Sequence, residues 1–152
     1  RLGFGVGADE VHRLVDPAGT WGVPLLPLVE ELGFGIDVMI RAHDRVTAHT
    51  AAKQVHAVFA EPARHSIKAF SDRARLAKLL AEGPFQAVYS DHLFDRRLSS
   101  AGKAQFSLQE FEKGLAGAVR TGRRLLRICR LPFYRRYARY LPPEQDGAEA
   151  KP

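Results

Sequence analysis

A chain of 152 residues, 45% hydrophobic and 26% charged, is long enough for one well-cored domain and too short for two. Its single cysteine, Cys129, rules out an internal disulfide and a self-contained cysteine metal site, and no apolar run reaches membrane-spanning length, so a cytoplasmic, reducing setting is expected. The net charge of +6 is all C-terminal: from Arg120 onward eight Arg and one Lys stand against Glu144, Asp146 and Glu149, while the residues before it balance. The chain opens at Arg1, already in a strand-like run, as expected of a piece of a longer protein.

Leu2 to Gly7 (LGFGVG) reads as a buried strand entering a turn. Its glycines at 3, 5 and 7 lack the spacing of a dinucleotide fingerprint. After a turn over Asp16 to Gly19, Thr20 is placed to cap a helix that carries Pro24 in its first turn and a stripe of Leu25, Leu26, Leu28, Val29 and Leu32. Gly33 closes that helix, and Ile36 to Ile40 is a second strand. Between residues 41 and 70 the pattern is weaker, with Val55 to Phe59 suggesting a short strand and Ala69-Phe70 ending a connector. Ser71 caps a helix through Leu79, Leu80 and Ala81, with Asp72 in its first turn and Gly83-Pro84 as its stop. Phe85 to Tyr89 (FQAVY) is a strand, Ala104 to Leu108 another short one, and a helix follows from about Gln109 to Arg130, ended or kinked by Pro132. The alternation predicts an open, mostly parallel α/β sheet with helices on both faces, Rossmann-like or flavodoxin-like, with a long C-terminal helix. Residues 1–141 form this domain and 142–152 a flexible tail.

Ligands of such sheets collect at the carboxyl ends of strands, which singles out Ser90, Asp91 and His92 after the FQAVY strand. A helix start suits an anion, because its amides are unpaired and its dipole positive. Gly114 and Gly117, with Ala116 and Ala118 beside them and Arg120, Arg123, Arg124 and Arg127 behind, have that character; a surface helix packed tightly on the sheet explains the same residues more simply. The six histidines show no metal-ligand spacing, so scatter on loops is favoured, and neighbouring side chains on a strand point to opposite faces, which argues against a Ser90-Asp91-His92 hydrolase triad. Cationic neighbours could lower the Cys129 thiol, but a buried helix cysteine is the default. Tyr134, Tyr137 and Tyr140 interleave with Arg135, Arg136 and Arg139; packing of that stripe on a partner protein is favoured over nucleic acid.

The series GFGIDVM (residues 33–39), FQAVYSD (residues 85–91) and GLAGA (residues 114–118) resembles the C-terminal Rossmann-like domain of the nitrogenase component 1 family, whose members include nitrogenase subunits, cofactor-assembly scaffolds and protochlorophyllide and chlorophyllide reductases. The resemblance spans nearly the whole chain and implies a hetero-oligomer in which a sister subunit and an ATP-dependent iron–sulfur reductase pass electrons through metal clusters to a substrate. It places Lys113, Gly114 and Gly117, with Ser90, Asp91 and His92, near an iron–sulfur or related metal cluster of the parent complex. In the family's catalytic α-type subunit a histidine before the first glycine ligates the cofactor. Here that position is Lys113, and a protonated amine is no ligand, so the chain is more similar to a β-type or scaffold subunit. Leu115 stands where an aromatic residue is usual, and the family's cluster cysteines belong to domains this chain lacks, so the chain alone is expected to bind no cofactor and turn over nothing. The rival expectations are a stand-alone flavodoxin-like module for a phosphate or nucleotide and a basic nucleic-acid-binding domain.

Overall fold

A computed structural model describes residues 1–16, 24–92, 94–131, 136, 137 and 140. The expected cap at Thr20, the stop at Pro132, Tyr134 and the tail at 142–152 lie outside the described residues.

Five strands form one all-parallel sheet: β1 (Leu2–Gly7), β2 (Ile36–Arg41), β3 (Ser66–Phe70), β4 (Ala87–Tyr89) and β5 (Ala104–Phe106), in the spatial order β3-β2-β1-β4-β5. This is the Rossmann order rather than the flavodoxin order 2-1-3-4-5. The crossovers pass through α1 (His12–Val15) and α2 (Leu25–Glu31), α3 (Arg45–Ala57), α4 (Arg73–Glu82) and α5 (Arg96–Ser100), and α6 (Gly114–Arg130) follows β5.

Alternation along the central strands separates two cores. Leu2 and Phe4 of β1 with Ile36, Val38 and Ile40 of β2 pack under α1, α2, α3 and α6, joined by Leu14, Leu26, Val55 and Leu125. Met39, Phe70, Phe85 and Val88 pack under α4 and α5 with Leu80 and Leu98. The opposite face of β1 carries only Gly3, Gly5 and Gly7. Phe85 and Val88 occupy the space over Gly3, whereas the space over Gly5 is open. The first two crossovers cover one face and the next two the other, so neighbouring connections diverge at the carboxyl ends of β1 and β4. That crevice is where parallel sheets bind ligands.

The strand-to-helix turns follow one pattern. Asp44, Asp72 and Asp95 are the N-caps of α3, α4 and α5, their carboxylates accepting from the backbone N–H of Thr47 at 2.8 Å, Arg75 at 2.8 Å and Arg97 at 3.1 Å. Asp72, not Ser71, therefore caps α4, while the Ser71 hydroxyl donates to Asp72 at 2.9 Å.

Several other expectations give way. Val55 to Phe59 is no strand: its first residues are the last turn of α3, where Ala51 and Val55 face the core one turn apart. The missing strand is β3, an edge strand whose Lys68 and Ala69 are exposed, which blurred its alternation. Pro24 is the extended residue before α2 rather than part of its first turn. The final helix starts at Gly114, because Leu108–Glu110 is a separate 3-10 turn capped by Ser107. Strand β4 begins at Ala87, two residues late, and β5 stops at Phe106.

At the amino end of the sheet, Glu30 of α2 is only 8% exposed. It accepts from the backbone N–H of Ala60 at 2.9 Å and of Glu61 at 2.8 Å, and from His65 Nε2 at 2.8 Å. The His65 Nδ1 accepts from the N–H of Ile36 at 3.1 Å, which leaves the ring proton on Nε2, facing Glu30. The ring stacks on Phe59, centroids 4.0 Å apart. His65 is thus a buried strut between α2, the α3–β3 turn and β2, not a loop histidine.

Candidate functional site

Two clefts open at the carboxyl ends of β1 and β4, and Gly5, Val6, Glu10, Tyr89 and Asp91 border both. The first, about 610 Å³, lies on the α6 side; the second, about 570 Å³, lies on the α4 and α5 side. The six expected site residues divide between them. Lys113 and Gly114 line the first, Ser90 and His92 the second, and Asp91 the wall between. Gly117 lines neither.

The first cleft is mainly apolar, walled by Leu14, Leu25, Leu28, Leu108 and Phe111, with Leu115 and Ala118 of α6 at its mouth. Polar groups sit along its edge. Tyr89 donates its hydroxyl to Asp91 Oδ1 at 2.6 Å. Burial, and then that hydrogen bond to a carboxylate, push the Tyr89 phenol well above its ordinary value, so it stays a proton donor. Arg13 pairs with Glu10 at 3.0 Å.

The start of α6 is built around Glu112. A Cβ on Gly117 would stand 2.6 Å from the carbonyl oxygen of Glu112, so the absent side chain makes room for the protein's own backbone rather than for a ligand. The buried Thr121 hydroxyl accepts from the Glu112 N–H at 2.9 Å. Arg120 Nε bonds the Glu112 carboxylate at 2.6 Å and Arg124 pairs with its other oxygen. The Arg120 hydrogen bond, helped by Arg124 against partial desolvation, holds this carboxyl below its usual value. Two of the four arginines behind the helix start therefore hold the protein's own carboxylate, in keeping with a surface helix packed on the domain rather than an anion site. Gly114, at φ +78°, has nothing within 4 Å of its missing Cβ; its backbone conformation is what demands glycine. Lys113 is the N-cap and makes no side-chain cap bond.

The outer face of α6 pairs an apolar stripe with a cationic one. Leu115 is 87% exposed and Val119, Leu126 and Leu131 are also exposed, while Arg123, Arg127, Arg130, Leu126 and Leu131 border a shallow groove. Tyr137 and Tyr140 are exposed too, their rings 6.2 Å apart. Burial raises the Cys129 thiol above its ordinary value, in keeping with the default reading of a helix cysteine that its arginine neighbours do not activate.

The second cleft is more polar. Arg41 and His43 after β2, Ser71 to Arg73 after β3, and Ser90 to His92 after β4 form its rim. Its place was legible only in part, since β3 was not recognised. Among the described residues no three His, Cys, Asp or Glu side chains cluster as a metal site. No helix there is long and apolar enough to cross a membrane. The chain matches no protein-family model, no curated protein and no solved structure.

Proposed function

We propose that this chain is the C-terminal Rossmann-like domain of a nitrogenase-like oxidoreductase component, of the β-type or scaffold kind, that helps enclose a metal cluster or substrate of the parent complex and contacts a sister subunit. One observation carries the reading: Tyr89 and Asp91, from the FQAVYSD stretch, and Lys113 to Leu115, at the GLAGA helix start, line the same cleft although more than twenty residues separate them. The glycine helix start, the sharper element of the resemblance, thus lines the same crevice as the FQAVYSD strand end, where this sheet class binds its ligands.

The lining offers no thiolate or imidazole for a cluster, and the Lys113 ammonium is no ligand. The cleft residues therefore do not fit a cluster-holding role, and no reaction step runs through a metal here. They fit a wall: Leu14, Leu25, Leu28 and Phe111 exclude water, while charged side chains of both signs, Glu10, Arg13, Asp91, Glu112 and Lys113, stand along the edge. The exposed leucines and arginines of α6 suit a subunit interface, since fully buried interface centres favour apolar and Arg side chains. In this reading electrons come from an ATP-dependent iron–sulfur reductase and reach the substrate through clusters held by other domains.

Recovering the coding sequence upstream of Arg1 tests the proposal. The expected result is two further Rossmann-like domains carrying cysteines, and iron in the anaerobically purified parent complex. A start codon directly before Arg1 would overturn it and leave the stand-alone modules; of these, nucleic-acid binding requires steep salt dependence lost on changing Arg123, Arg124 and Arg135 to Gln.

A further inference from the structure

We propose that the second cleft is a binding site for a small phosphate monoester, its phosphoryl group met by Arg41 and Arg73 and its apolar body lying over Gly5. This site does not depend on the parent-complex reading, because every residue it uses lies within this chain.

The space comes from the sheet itself. Strand β1 presents no side chain on this face, and at Gly5 nothing lies within 4 Å of where a Cβ would sit. Met39, Leu80, Val88 and Leu98 form an apolar floor. The gap therefore has an apolar bottom wide enough for a ring or short hydrocarbon, below a polar rim.

The charge class follows from which rim groups are already engaged. Glu10 is paired with Arg13 at 3.0 Å. Asp72 accepts from the Arg75 N–H and the Ser71 hydroxyl, and Asp91 from the Tyr89 hydroxyl. Asp95 is bonded by Arg97 Nε at 2.9 Å and Nη2 at 2.7 Å, which commits both charges to each other. Backbone and side-chain hydrogen bonds hold the Asp72 carboxyl below its ordinary value. By contrast, the Arg41 and Arg73 guanidinium groups have no hydrogen-bond or ion-pair partner among the described residues. Ser90, 8% exposed, accepts a long 3.4 Å bond from the His92 N–H and keeps its own hydroxyl proton to give. Among the described residues the uncommitted rim groups are thus the two guanidinium forks, the Ser90 hydroxyl and the His43 and His92 rings, a donor set that meets the oxygens of a phosphoryl group. Asp72 and Asp91 keep their charges, because the groups bonded to them are neutral, so the cleft is not cationic overall and the class is set by the donor geometry of Arg41, Arg73 and Ser90. The apolar floor selects a small ester with an apolar body over a polyanionic chain.

Isothermal titration of the 152-residue chain with phenyl phosphate, inorganic phosphate, phenol and a single-stranded oligonucleotide tests this. Phenyl phosphate is expected to saturate one site and to bind at least about tenfold more tightly than inorganic phosphate, from the buried ring; phenol alone gives no saturation. Arg41→Gln and Arg73→Gln each weaken phenyl phosphate by about tenfold or more. Gly5→Leu abolishes binding by filling the floor, while Arg123→Gln on α6, the same charge change away from the cleft, leaves it unaltered. The proposal falls if phenyl phosphate does not saturate, if phenol binds equally well, or if Arg123→Gln weakens binding as much as Arg41→Gln, since that is bulk attraction to a basic chain. It also falls if the oligonucleotide competes as the tighter ligand, which assigns the arginines to nucleic acid. Should Gly5→Leu lose the native circular dichroism spectrum, the two arginine variants decide.

Discussion

Replacing Glu30 with Ala removes the acceptor for three donors at once: the backbone amides of Ala60 and Glu61 and the His65 ring. All three lie where the His65 side chain is 1% exposed and that of Glu30 8%. Removing one member of a buried charged network costs about 3–5 kcal/mol, a large share of the roughly 5–15 kcal/mol that holds a domain together. With a urea m-value of about 2 kcal/mol/M, the midpoint by circular dichroism should fall by about 2 M at pH 7. Glu30→Gln keeps one acceptor oxygen but turns an NH₂ toward a donor, so its loss should be intermediate. The acid side carries a second signature. Burial alone would raise the Glu30 carboxyl, but the Glu61 and Ala60 amides and the His65 ring outweigh it and hold it below 4.5. A depressed folded value means the contribution is fully present above the unfolded value and is lost as pH falls through the folded one. Wild-type stability should therefore drop below about pH 4.5 more steeply than that of Glu30→Gln. A loss below about 1 kcal/mol for Glu30→Ala, within the range of an ordinary single hydrogen bond, would refute the idea that this network ties α2 to β2 and the α3–β3 turn.

Two further predictions separate kinds of constraint. Gly117→Ala should cost about 2–3 kcal/mol, because its Cβ meets unyielding backbone of Glu112, whereas Gly114→Ala should cost about 1–2 kcal/mol from φ strain alone; equal, negligible losses in urea melts would remove Glu112 as the support of α6. Cys129, half-buried and with a raised thiol, should react with a disulfide reagent at pH 8 at least about tenfold more slowly than an exposed thiol. A fast reaction would mean that α6 is not seated on the core there.

How far the sequence reached depended on the length scale of each signal. The short apolar run Leu2 to Gly7 sufficed to place β1, and Ser71-Asp72 marked the turn where α4 begins, although the bare glycine face of β1 and the cap at Asp95 were visible only in the structure. Strand β3 escaped because an edge strand buries little, so Lys68 and Ala69 face solvent and erase the period of two. Lys103 shows the same limit: it reads as a surface residue, yet its ammonium is buried against the carbonyls of Gly83 at 2.7 Å and Phe85 at 3.1 Å.

Local patterning alone determined the α/β class, the long last helix and the positions of the strand-end residues, because periodicity and caps are properties of consecutive residues. Only the tertiary structure decided the order β3-β2-β1-β4-β5, and with it which strand-end residues share a cleft. It also decided that Arg120 and Arg124 serve Glu112 while Arg41 and Arg73 face an open space. Such assignments depend on contacts between residues far apart in the chain, which the sheet order creates and no local period encodes.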